Sequence, residues 1–128
     1  MNTLIDTSVL AGSGTDAFGG LEIDGGWAVS AISVGELHAG VLLAGDDASQ
    51  VARLRRLSAV TEAPVLEVDR TVITCYGELR AATGRLPTND LWIAATALAH
   101  DLTLVTADER QAALPLVRTR LVGAAPRT

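Results

Sequence analysis

Short apolar runs alternate along this chain with segments of helical periodicity, and that alternation limits the possible folds more than any other feature. The runs are "TLID" (3–6), "WAVS" (27–30), "PVLEV" (64–68), "LTLVT" (102–106) and "LVRTRLV" (116–122). Between them lie "SVGELHAGVLLAG" (33–45), "DDASQVARLRRLSAV" (46–60), "DRTVITCYGELRAATG" (69–84) and "TNDLWIAATALAH" (88–100). Strands separated by helices of about ten or more residues need crossover connections rather than hairpins. The expected architecture is therefore α/β: a central, mostly parallel sheet with helices on both faces, in three layers. Ser33, Asp69 and Thr88 stand at expected helix starts, Asp46 and Asp47 are further caps, and Gly45 and Gly84 mark expected ends.

At 128 residues the chain suits one core, so 1–128 reads as a single domain with a frayed tail at about 123–128. Hydrophobic residues make up 48% and aromatics only 3%, so the interior must be built from Leu, Val, Ile and Ala. No run approaches the ~20 apolar residues of a membrane span, and no signal-peptide pattern opens the chain. A cytoplasmic protein is expected, with no membrane partner. Cys75, the only cysteine, reads as a small packing residue.

A net charge of −5 argues against gripping nucleic acid through the overall field. Any polyanionic partner would need local help, such as a bound cation. All ten basic residues are Arg; there is no Lys.

Parallel α/β sheets carry their functional groups beyond the carboxyl ends of the strands. Asp6 closes the first run, Glu36 lies in the expected first turn of the helix after the second, Asp90 opens another helix, and Asp108 follows "LTLVT" by two residues. Four carboxylates can thus meet at one sheet edge. Two carboxylates about 4 Å apart repel by about 4 kcal/mol at an effective dielectric near 20, so such a group must take up protons or hold a cation. All-oxygen ligands favour a hard ion, Mg²⁺ or Mn²⁺. Helix N-termini at Glu36 and Asp90 would favour the ionised forms.

The motifs "LIDTSVL", "VGELHAG" and "TNDLWIAATALAHDLTLVTADE" occur in this order, and with them the chain resembles the PIN-domain ribonucleases, most closely the VapC toxins of VapB-VapC toxin-antitoxin pairs. The resemblance runs from the first strand to about residue 109. It implies a PIN-like α/β/α domain acting as a metal-dependent endoribonuclease. Carried over position by position, Asp6, Glu36, Asp90 and Asp108 become catalytic metal ligands for Mg²⁺ or Mn²⁺. Thr7, Ser8 and Asn89 become supporting residues. Arg85 is not carried over from the family; its place just ahead of "LPTND", near the expected site, would let it touch a phosphate. The resemblance also implies an RNA substrate, a homodimer, and a VapB-type antitoxin that covers the acidic groove. One departure is visible: "ERQAAL", after Asp108, lacks the aromatic residue that often follows two or three positions later in the family.

Other readings remain. "GSGTDA" (12–17) has the form of a dinucleotide fingerprint, but six residues, Asp6 to Ala11, separate it from the strand it should follow directly. A phosphoryl-transfer hydrolase of haloacid dehalogenase type would want an Asp where Ser8 stands, and a Lys. A non-catalytic PIN-like binding module would share the fold but leave four gathered acids without a purpose. His38, His100 and the run Arg53, Arg55, Arg56 read as solvated helix faces, and Trp92 as core.

Overall fold

The computed structural model describes residues 1–10 and 26–122. Its sheet contains β1 (Thr3–Ile5), β2 (Trp27–Ser30), β3 (Val65–Leu66), β4 (Thr103–Thr106) and β5 (Thr119–Leu121), in the spatial order β3-β2-β1-β4-β5. Every pairing is parallel. The helices are α1 (Thr7–Leu10), α2 (Ala31–Leu42), α3 (Asp47–Thr61), α4 (Arg70–Ala82), α5 (Thr88–Ala99) and α6 (Glu109–Ala112). The three-layer α/β/α expectation holds, with the described sheet wholly rather than mostly parallel.

Two cores follow from the alternation of side chains along each strand. Register aligns Leu4 with Ala28 and with Leu104, and these three pack with Val72 and Leu79 of α4 and Leu91, Ile93 and Ala94 of α5. The next residue on each strand faces the other way. Ile5, Val29 and Val105 pack with Val9 and Leu10 of α1, Leu37 of α2, and Leu57 and Val60 of α3. In α5, Leu91 and the stretch from Ile93 to Ala97 are fully buried, and its alanines allow close approach to α4 and the sheet. Trp92 is partly buried against this core and stacks on Tyr76, ring centroids 3.9 Å apart, so it is a packing residue as expected.

Several boundaries moved. Ser30, not Ser33, caps α2: the Ser33 backbone N–H donates to Ser30 Oγ at 3.1 Å. The reason is that β2 runs straight into the helix with no loop between them. Asp46 and Asp69 cap α3 and α4 through their side chains, as read from the sequence. Thr88 is the first residue of α5 rather than its cap; Pro87 holds the cap position without a side-chain hydrogen bond. α2 ends at Leu42, ahead of Gly45, and Arg53 Nη1 of α3 donates to the Gly40 carbonyl at 2.6 Å near the helix end. β5 is shorter than its apolar run, and Leu116, at the start of that run, takes a positive φ of 72°. The "GSGTDA" segment and the expected frayed tail lie outside the described residues.

Among the described residues, no helix is long and apolar enough to cross a membrane. Cys75 is half-buried, and burial, then Glu78 and Asp69, push its thiol further from ionisation.

Candidate active site

The strand order creates the site. The chain builds outward from β1 through β2 to β3, then returns to the other side of β1 as β4 and β5. The crevice between β1 and β4 is the point where connections part to opposite sides, the favoured ligand position in open parallel sheets. Asp6 follows β1 directly, and its backbone N–H donates to the Val105 carbonyl of β4 at 2.9 Å. Asp108 lies just beyond β4, α2 follows β2, and α5 begins within reach of both.

Three of the four acids are held by hydrogen bonds to their carboxylates. Asp6 is 2% exposed; its Oδ2 accepts from the Ser8 backbone N–H at 3.0 Å, and its Oδ1 from Gln111 Nε2 at 3.1 Å. Glu36 lies in the second turn of α2, not the first, because the helix starts at Ala31; the helix dipole therefore acts on it only weakly. Its Oε1 instead accepts a hydrogen bond from the Thr7 hydroxyl at 2.8 Å. Asp108 caps α6, with Oδ1 accepting from Arg110 N at 2.8 Å and Gln111 N at 3.4 Å. Asp90 sits in the first turn of α5, where the sequence placed it.

Electrostatics ties the four together. The Asp90 carboxyl is pushed up to about 6, first by burial and then by the charges of Asp6, Asp108 and Glu36, with Arg110 opposing them. All three other acids are thus close enough to act on Asp90. They do not already form a cage: among the described residues, no group of three or more His, Cys, Asp or Glu side chains is set to hold a metal ion. Asp6, Glu36 and Asp108 each accept hydrogen bonds from the protein. The donors are all oxygen, they repel one another, and they fit a hard divalent cation.

The expected supporting residues divide by position. Thr7 and Ser8 contact the acids, Thr7 through Glu36 and Ser8 through Asp6, and Ser8 Oγ lies 3.2 Å from Thr106 Oγ1 and accepts from Ala107 N at 3.0 Å. Asn89 and Arg85 are exposed, and among the described residues neither side chain hydrogen-bonds to the acids. Two groups escaped the sequence reading. Gln111 is fully buried and stands three positions past Asp108, where the resemblance wants an aromatic residue; that polar substitution was its only sequence signal. Arg53 and Arg56, read as a solvated face, line with Thr7, Glu36, Leu37 and Gly40 a cleft of about 240 Å³. Nothing in a helical charge run announces a cleft.

An acidic centre at the switch point of a parallel α/β/α sheet defines a restricted class of proteins. A sequence model of the PIN domain matches residues 3–116. The chain belongs to the PIN-domain family. It is 38% identical over 121 residues to Ribonuclease VapC4 of Mycobacterium tuberculosis, covering 88% of this chain and 90% of that one. Among solved structures, a member of the VapBC family of toxin-antitoxin systems, VapBC-5 from Mycobacterium tuberculosis, matches with a TM-score of 0.79 at 29% identity, over 96% of this chain and 98% of that one. VapBC2 from Rickettsia felis shares the fold, with a TM-score of 0.79 at 21% identity over 95% and 99%.

Proposed function

We propose that this chain is a cytoplasmic, divalent-metal-dependent endoribonuclease, the toxin of a VapBC-type toxin-antitoxin pair. The observation that carries the reading is the placing of four acids, Asp6 directly after β1, Glu36 on α2, Asp90 in the first turn of α5 and Asp108 just beyond β4, in a chain of the PIN-domain family. Asp6, Glu36 and Asp90 would hold the principal ion, with Asp108 assisting. A bound Mg²⁺ or Mn²⁺ supplies the charge neutralisation and the water activation that phosphodiester hydrolysis needs. The chain's own residues do the rest. Thr7 orients Glu36, Ser8 N–H and Gln111 orient Asp6, and the guanidinium groups in the cleft beside Glu36 offer charge to the RNA backbone.

That division of labour accounts for an RNA enzyme with a net charge of −5: attraction is local, at the cation and the arginines. An antitoxin segment would cover the site and the apolar surface of Leu42, Leu43, Val51 and Leu54 on the α2–α3 hairpin, all about half exposed or more. The toxin would act as a homodimer.

The test is cleavage of single-stranded RNA by the purified chain. Activity should vanish in EDTA, return with Mn²⁺ or Mg²⁺, and be lost in Asp90→Asn. Cleavage that persists in chelator, or in that variant, would overturn the reading.

A further inference from the structure

We propose that Gln111 is a positioning residue whose buried amide fixes the Asp6 carboxylate, and the backbone of Asp90, in the arrangement that receives the divalent cation. The inference rests on the metal-dependent reading above. A fully buried glutamine is uncommon, and each of its polar atoms needs a partner. Nε2 donates to Asp6 Oδ1 at 3.1 Å and to the Asp90 backbone carbonyl at 3.1 Å. Oε1 accepts from the Thr106 hydroxyl at 2.5 Å.

The direction of the amide is forced. An ionised carboxylate and a backbone carbonyl only accept, so the NH₂ end must face them and the oxygen must face Thr106. The Thr106 proton is then committed to Gln111, and its oxygen accepts from Asp108 N at 3.1 Å. Ser8 Oγ, 3.2 Å away, must be the donor to Thr106, while it accepts from Ala107 N. Every hydroxyl in this chain of contacts uses its one hydrogen, with no freedom to reverse. One side chain thereby ties together the segments that carry Asp6, Asp90 and Asp108.

The effect on Asp6 is specific. Each of its oxygens accepts one protein hydrogen bond, Oδ1 from Gln111 and Oδ2 from Ser8 N–H, leaving lone-pair capacity on both for a cation. A carboxylate held at both oxygens keeps its rotamer before the ion arrives. Partners of this kind outside the ligand set commonly change metal affinity by about 10- to 100-fold. An apolar residue at 111 would fill the space and hold neither Asp6 nor the Asp90 carbonyl.

The experiment measures Mn²⁺ binding to the metal-free protein by calorimetry and by electron paramagnetic resonance, with no RNA present. Gln111→Met keeps length and volume but removes the amide. Its Mn²⁺ Kd should rise about tenfold or more, while KM for RNA at saturating Mn²⁺ stays at the wild-type value and kcat recovers as Mn²⁺ is raised. Thr106→Val, which removes the hydroxyl that orients the amide together with the acceptor for Asp108 N and Ser8 Oγ, should also weaken Mn²⁺, and Thr106→Ser, which keeps all three contacts, should restore it. A merely structural role would lower the melting temperature without moving the Kd of the folded protein. Equal Mn²⁺ affinity in wild type and Gln111→Met overturns the proposal. Should Gln111→Met not fold, Gln111→Leu and Thr106→Val decide together: weakened affinity in both supports it and unchanged affinity in either overturns it. Wild-type protein that binds no Mn²⁺ overturns the metal-dependent reading as well, whereas tight wild-type binding unaffected by these variants overturns this inference alone.

Discussion

The Thr7 hydroxyl stands 2.8 Å from Glu36 Oε1, joining the first residue of α1 to the second turn of α2 across 29 residues of sequence. The same hydroxyl lies 2.8 Å from Ser33 Oγ, so Glu36 is held by an arrangement of side chains rather than by its helix terminus. Thr7→Val keeps the shape and removes the bond. Activity at limiting Mn²⁺ should fall about tenfold, for a lost charge-assisted hydrogen bond worth ~1.5 kcal/mol, and Thr7→Ser should recover most of it. Wild-type kinetics in Thr7→Val at limiting metal would show that Glu36 needs no such support.

Asp90 predicts a pH dependence of stability. Its folded carboxyl titrates at about 6, above the ordinary 3.8, so ionisation is costlier in the folded state than in the unfolded one. The group's contribution to stability is therefore fully present below about pH 4 and lost as pH rises through about 6. Metal-free Asp90→Asn should accordingly be more stable than wild type at pH 7.5, by about 1 kcal/mol after allowance for solvent screening of a part-exposed group. The difference should vanish near pH 4. Thermal melts of both proteins across that range check it; Mn²⁺ at pH 7.5 should raise the wild-type melting temperature and leave the variant's nearly unchanged.

Asp108 and Glu109 are adjacent acids with different surroundings. Asp108 caps α6 and acts on Asp90, whereas Glu109 is exposed in the first turn of α6. Asp108→Asn keeps a good cap and loses the charge, so stability should hold while cleavage falls strongly. Asp108→Ala should lose both, with ~1 kcal/mol less stability. Glu109→Ala should change cleavage little. A larger loss in Glu109→Ala than in Asp108→Asn, assayed side by side at limiting Mn²⁺, would move the fourth ligand to Glu109.

Arg56 lines the cleft beside Glu36 and has no ion-pair partner among the described residues. Arg53 is different, since it already donates to the Gly40 carbonyl. Arg56→Ala should raise KM for RNA several-fold with little change in kcat, and should reduce the slope of log affinity against log salt by about 0.7, the value for one phosphate contact on a single strand. An unchanged salt slope would place the RNA backbone elsewhere.

The layers were legible because the signals for them are local. The short apolar runs "TLID" and "LTLVT" and helical spacing in "TNDLWIAATALAH" depend only on neighbours along the chain, and so do the Asp46 and Asp69 caps. The errors arose where two elements meet. Ser33 looked like a cap because the turn between β2 and α2 was assumed to have length; the strand instead passes directly into the helix at Ser30.

The sequence by itself determined that helices would alternate with parallel strands and that Asp6, Asp90 and Asp108 would stand at or just beyond element ends, since apolar periodicity and terminal residues are properties of short segments. Tertiary structure alone decided that Gln111 is buried against Asp6, 105 residues away, that Thr7 rather than a helix terminus holds Glu36, and that Arg53 and Arg56 line a cleft instead of facing open solvent. Those contacts depend on strand order and register, which place β4 beside β1 and bring distant side chains within hydrogen-bond reach; periodicity specifies which face of an element is buried, but not what it meets there.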